Sequence, residues 1–135
     1  MTSRRPPRVQ QQAGRQQTER QEAERRGRRA ETLVSFLYLL RGYRILERRF
    51  RAHGGEVDII AQRGRLVAFV EVKLRRTGEE AILAVTPANR RRLESAAARF
   101  LALRPHLGEF AVRYDIAAVS GWRVALVQDA WRAMA

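Results

Sequence analysis

Residues Leu66-Val67-Ala68-Phe69-Val70-Glu71-Val72-Lys73-Leu74 constrain this chain more than any other stretch. Successive side chains of a strand point to opposite faces. Val67, Phe69, Glu71 and Lys73 therefore share one face, and Leu66, Ala68, Val70 and Val72 the other. A strand apolar on both sides belongs in the middle of a covered sheet. Two charged residues at the end of such a strand are costly unless the fold or the function uses them.

The flanking pattern supplies the rest of the sheet. Ala30, Leu33, Val34, Leu37 and Leu40 follow helical spacing until Gly42, with Glu31 at the start of the run. Strands are predicted at Tyr43–Phe50, Glu56–Ala61 and Leu66–Leu74, with turns at His53-Gly54-Gly55 and Arg63-Gly64. Pro87–Leu103 reads as a second helix, with Pro87 at a first helical position. Two further strands follow at Phe110–Val119 and Trp122–Val127, and Asp129–Ala133 reads as one helical turn. The order α-β-β-β-α-β-β predicts an α/β fold, a mixed central sheet flanked by helices. No Gly-rich phosphate loop or Rossmann alternation is present.

One domain is expected from 135 residues. Cysteine is absent and the two histidines stand far apart, which excludes disulfide frameworks and thiol chemistry. No apolar run reaches the ~20 residues of a membrane span, and no signal peptide is recognisable. The expectation is a soluble cytoplasmic protein. Its net charge of +13 favours a polyanion partner, nucleic acid before a membrane surface. Twenty-six of the 27 basic residues are arginine; the single lysine is Lys73. A compact amine at that one place suggests a role a guanidinium cannot fill. Residues 1–26 are rich in Arg, Gln and Glu and poor in apolar groups, so they read as a disordered basic arm, or a frayed helix from Gly14 onward, ahead of a domain at 27–135. A solvated charge run and a nucleic-acid tether fit that arm equally well.

Asp58, Glu71 and Lys73 carry the candidate chemistry. If Arg63-Gly64 is the two-residue loop, Gln62 pairs with Arg65, Asp58 lies opposite Phe69 and Glu56 opposite Glu71. Asp58, Glu71 and Lys73 then share a face, and a one-residue register slip undoes this. Neighbouring carboxylates resist joint ionisation, and a divalent cation relieves them. Two carboxylates with water and a phosphate oxygen suit Mg²⁺. The competing reading is a buried ion pair of Lys73 with one acid, which leaves the other acid uncompensated.

Asp58 followed after twelve residues by Glu71-Val72-Lys73 resembles the PD-(D/E)xK nuclease signature. The longer string Gly55-Glu56-Val57-Asp58-Ile59-Ile60-Ala61 with Phe69-Val70-Glu71-Val72-Lys73-Leu74-Arg75 resembles the YraN family of predicted endonucleases, which are similar to archaeal Holliday junction resolvases. The resemblance spans about Gly27 to Trp131. It implies a restriction-endonuclease-like core and a structure-selective DNA endonuclease linked to recombination or repair. It implies Mg²⁺ or Mn²⁺ held by Asp58, Glu71 and the Val72 carbonyl, with Lys73 positioning water and Glu31 completing the catalytic set. A helix-terminal role fits Glu31 as well. Asp115 is expected to serve the sheet by hydrogen bonding. Arg49, Arg51, Arg75, Arg76, Arg90, Arg91 and Arg92 are the expected nucleic-acid contacts, and a homodimer is implied by the resolvases. The chain departs from the family at Asn89, Leu74 and Arg49-Phe50, where a lysine, a threonine and an Asn-Trp pair are usual. The alternative function is a nucleic-acid-binding accessory protein without turnover. Nothing in the sequence separates DNA from RNA, or branched from linear substrate.

Overall fold

A computed structural model describes residue 4 and residues 7–133. Helix α1 (Arg8–Leu40) leads into strands β1 (Arg44–Ala52), β2 (Gly55–Arg63) and β3 (Leu66–Leu74). Helices α2 (Gly78–Ala84) and α3 (Pro87–Ala102) and a short 3₁₀ turn (Pro105–Leu107) precede strands β4 (Ala111–Ser120) and β5 (Arg123–Trp131). The sheet order is β1-β2-β3-β4-β5; β3 and β4 run parallel and the other pairs antiparallel. The doubly apolar strand is thus central, as its pattern demands.

Helix α1 packs Ala30, Val34 and Tyr38 on one face, against Ile59, Ala61, Ala68, Val70, Ala117 and Val119. Helices α2 and α3 cover the other face, where Ala81, Leu93, Ala96, Ala97 and Phe100 meet Val57, Ile60, Val67, Phe69 and Ile116. Each layer removes apolar area from water, the main driving force of the fold.

Four sequence expectations change. The β2–β3 loop is Gly64-Arg65, because Arg63 pairs with Leu66 and Ile60 with Phe69. Gly64 holds φ +58°, a conformation glycine adopts freely. The register moves by two residues, which keeps Ile60 and Phe69 on one face, but Val57 joins the same core as Ile60 while Ile59 joins the opposite one, so the alternation breaks at Asp58. Residues 8–26, read as an arm with at most a frayed helix from Gly14, form the exposed N-terminal half of α1. Gln, Glu, Arg and Ala dominate this stretch, residues whose helix propensity is high without packing. Helix α2 was absent from the pattern reading, although Thr77-Gly78-Glu79-Glu80 is a capping signal: Glu80 N donates to Thr77 Oγ1 at 3.1 Å. The tail at Asp129–Trp131 is strand rather than helical turn, with a register shift opposite Tyr114 and Ile116. Trp131 stacks on Tyr114, ring centroids 5.0 Å apart, and its Nε1 donates to Glu94 on α3 at 2.9 Å.

Candidate active site

Asp58 sits on β2 where the ladder to β3 ends. The last described pair is Ile59 with Val70; one step further in the same register lies Asp58 opposite Glu71. Val72 N donates to Asp58 Oδ2 at 2.7 Å, so the side chain replaces a main-chain partner there. Glu71 follows Phe69 onto the α3 face, and Lys73 follows Glu71 by the strand repeat of two. Lys73 Nζ lies 3.5 Å from Glu71 Oε1, both side chains largely covered. The three sequence-predicted residues therefore come together, through a register two residues from the one expected.

The electrostatics are those of crowded acids. Burial pushes the Asp58 carboxyl up to about 8, and the Glu71 charge adds to the rise against the Val72 hydrogen bond. Glu31 and Glu56 act on Asp58 in the same direction. Burial also raises Glu71, while the Lys73 charge and hydrogen bond oppose the rise. One amine faces more than one acid, so the pair is left wanting positive charge. Oxygen donors of this kind fit a hard divalent cation. Among the described residues no ready-made cluster of three His, Cys, Asp or Glu ligands exists. The donor set is two carboxylates, completed by main-chain oxygen, water or substrate.

Glu31 is close but engaged. It lies well inside α1 rather than in its first turn, which removes the helix-terminal reading. Arg49 Nε reaches Glu31 Oε2 at 2.7 Å and Arg48 Nη2 approaches the same oxygen at 3.8 Å. Arg49 does this from φ +54°, a strained conformation for a side chain inside a strand. Arg48 and Arg49 thereby both reach α1, against the alternation expected of neighbours. No sequence signal announces that twist. Its hydrogen bond to Glu31 holds Arg49 firmly protonated.

The other arginines divide. Arg51 pairs with Glu56 at 3.4 Å beside a cleft that also holds Arg28, Arg49 and Glu31. Arg92 lines a small cleft with Glu71, Lys73 and Asn89, so the N-terminal turns of α3 face the acids. Gly55 lets α3 approach: a Cβ there would stand 2.1 Å from the Arg92 carbonyl oxygen. Arg91 is exposed on the same helix. Arg90 instead turns toward Trp131, 5.3 Å from the ring centre, away from the surface role expected of it. Arg75 and Arg76 are exposed just beyond β3. Asp115, expected to be structural, is fully buried and accepts from Tyr38, Arg113 and the Asp129 amide.

Sequence comparison places this geometry in company. The model of the family described as "Uncharacterised protein family UPF0102" matches residues 30–119, which hold Glu31, Asp58, Glu71 and Lys73. A UPF0102 protein of Paramagnetospirillum magneticum is 48% identical over 117 residues, 83% of this chain and 91% of its own length. One of Mesorhizobium japonicum is 47% identical over 82% of this chain and 89% of its own, and one of Parvibaculum lavamentivorans 44% identical over 82% and 84%. No helix among the described residues is long and apolar enough to cross a membrane.

Proposed function

This chain belongs to the UPF0102 family, and from that premise and its acid–amine cluster we propose that it is a metal-dependent phosphodiesterase of the PD-(D/E)xK kind acting on nucleic acid. The observation that carries the reading is the convergence of Asp58 and Glu71 at the broken end of the β2–β3 ladder, with Lys73 3.5 Å from Glu71. Asp58, Glu71 and the Val72 carbonyl hold Mg²⁺ or Mn²⁺. Bound there, the cation supplies charge neutralisation at the scissile phosphate and makes water a better nucleophile at neutral pH. Lys73 opposes by its charge the rise that burial imposes on Glu71, and it offers donor hydrogens to water or to a phosphate oxygen. Arg92 and Asn89, at the mouth of the same cleft, hold the backbone beside the acids. Arg49 fixes Glu31 as a bracing group that adds negative potential around Asp58. The contacts on offer are to phosphate, so structure rather than base sequence selects the substrate. DNA is the proposed substrate, in recombination or repair, and a homodimer the proposed assembly.

A second reading is a binding protein without turnover. It draws on one observation, that the Arg49 fork already occupies the third carboxylate, Glu31. A cleavage assay with Mg²⁺ or Mn²⁺ on linear, single-stranded, flapped and four-way DNA separates the two. The phosphodiesterase reading expects cutting by wild type and none by Lys73→Ala. Binding without metal-dependent cutting, or equal cutting by both proteins, rejects it.

A further inference from the structure

Two residues past Lys73 the surface changes character. Arg75 and Arg76 meet Arg26, carried there by the polar half of α1, around a cleft of about 340 Å³. Leu74, 42% exposed, and Gly121 of the β4–β5 turn line the same cleft. None of the three guanidinium groups is paired with a carboxylate, while Arg48, Arg49, Arg51, Arg65, Arg104, Arg113 and Arg132 all are. Arg75 turns one N–H to the Leu74 carbonyl and keeps its other donors. Trp122 follows the cleft-lining Gly121 in the chain. It is the second residue of a two-residue turn closed by Ser120 and Arg123, and it is 81% exposed. The β-turn needs Gly121, at φ +59°, and places no demand for an indole next to it. Among the described residues Trp122 has no aromatic or guanidinium partner for its ring, in contrast to Trp131. Arg26 and Trp122 both lie outside the residues that the family model matches.

We propose that Arg26, Arg75, Arg76 and Trp122 form a subsite for an unpaired nucleic-acid strand next to the acid cluster. The arginines hold successive phosphates and the indole stacks on a base. Aromatic faces accept any unstacked base but have no access to a paired one, so the combination selects single strand over duplex. An isolated basic cleft suits either form; the exposed indole tips the choice. The subsite rests on the nucleic-acid reading above and deepens it. The strand passing Lys73 is unpaired on the Arg75 side, as at a flap, a fork or an opened junction.

The test is binding in metal-free buffer, so it does not depend on turnover. A short oligothymidylate is titrated into full-length protein while tryptophan emission is followed, with an oligouridylate and a duplex of equal length as separate arms. Trp131 is buried, so the exposed-indole signal belongs to Trp122. The single strands should quench that emission and bind more tightly than the duplex. Read by the anisotropy of an end-labelled oligothymidylate, which needs no indole, Trp122→Ala should weaken single-strand binding roughly tenfold, with Trp122→Phe recovering most of it. Arg26→Ala and Arg76→Ala should each lower the slope of log K against log salt by about 0.7. Equal affinity of Trp122→Ala and wild type for the oligothymidylate overturns the subsite, as does a duplex that binds better than the single strand. If single-strand binding follows this pattern and no substrate is ever cut, the hydrolytic reading falls and the subsite stands. If cutting occurs and Trp122→Ala binds normally, the reverse holds.

Discussion

Asp115 and Asp58 occupy β4 and β2, the strands on either side of β3, and their surroundings differ in every respect that matters to a carboxylate. Asp115 is fully buried and saturated. Tyr38 donates to it at 2.6 Å, Arg113 Nε and Nη2 at 2.8 Å each, and the Asp129 amide at 3.0 Å from a residue held at φ +53°. Arg113 also donates to Tyr43 at 2.7 Å, so the network ties α1 to β4 and β5. Burial and the Asp115 charge keep the Tyr38 phenol protonated, and its bond to Asp115 keeps Arg113 charged. Among the described residues Asp58 has one donor, the Val72 amide; Glu71, Glu31 and Glu56 crowd it with like charge, and the nearby Arg49 is already bonded to Glu31. A satisfied buried anion holds a fold together; an unsatisfied one at a sheet end is a place for a cation.

Removing the acids from each region separates these roles. The largest expected effect is on turnover: Asp58→Asn, Glu71→Gln and Lys73→Ala should each reduce cleavage by roughly 10²-fold or more. Asp115→Asn should instead cost about 3–5 kcal/mol of stability, because it strands the Arg113 charge in the interior. Urea unfolding reads this directly, and Asp58→Asn should be no less stable than wild type in the same metal-free buffer, because it removes a carboxyl whose charge the fold opposes. A large loss at Asp58 and none at Asp115 would invert the comparison.

pH sharpens it further. The folded-state value of Asp58 is about 8 and the ordinary one 3.8, so between them the folded chain holds a proton that the unfolded chain has released. Stability from this group is complete below pH 4 and is lost as pH rises toward 8, by up to ~1.4 kcal/mol per pH unit, with Glu71 shifted in the same direction. Urea unfolding of metal-free protein across this range should show the decline, and Asp58→Asn should flatten it. An unchanged decline in that variant would assign the proton elsewhere.

The smallest effect concerns the first half of α1. Residues 1–22 hold five arginines and two glutamates, +5 − 2 = +3, and described positions 8–22 are exposed throughout. Removing residues 1–22 keeps Glu24, Arg26 and Arg28 beside the clefts. The melting temperature should not move, and the salt slope of duplex binding should fall by about two units if two of the arginines touch phosphate. An unchanged slope would leave those residues without a part in binding.

Much of this arrangement was legible in the residues. The doubly apolar run fixed β3 at the centre, and its period of two put Glu71 and Lys73 on one face whatever the exact loop. The shift of the β2–β3 turn to Gly64-Arg65 gives Phe69 to Ile60 and ends the ladder at Ile59 and Val70, so Asp58 meets β3 through the Val72 amide rather than as a paired ladder residue. What pattern reading missed came from local backbone chemistry and tertiary contact. The Thr77–Glu80 cap was present in the sequence and was overlooked. The left-handed Arg49 that swings onto Glu31 had no sequence signature, since arginine rarely adopts that φ. Arg26 reaching Arg75 and Arg76 depends on α1 continuing as helix past its last buried residue, which composition argued against.

The central claim is that Asp58 and Glu71 form a cation site while Asp115 does not. Calorimetric titration of Mn²⁺ into metal-free protein tests it most directly, with wild type, Asp58→Asn and Glu71→Gln compared at one pH. The account predicts a saturable heat at one site per chain in wild type and its loss in both variants. Equal heats in all three proteins, or none in wild type, would contradict it.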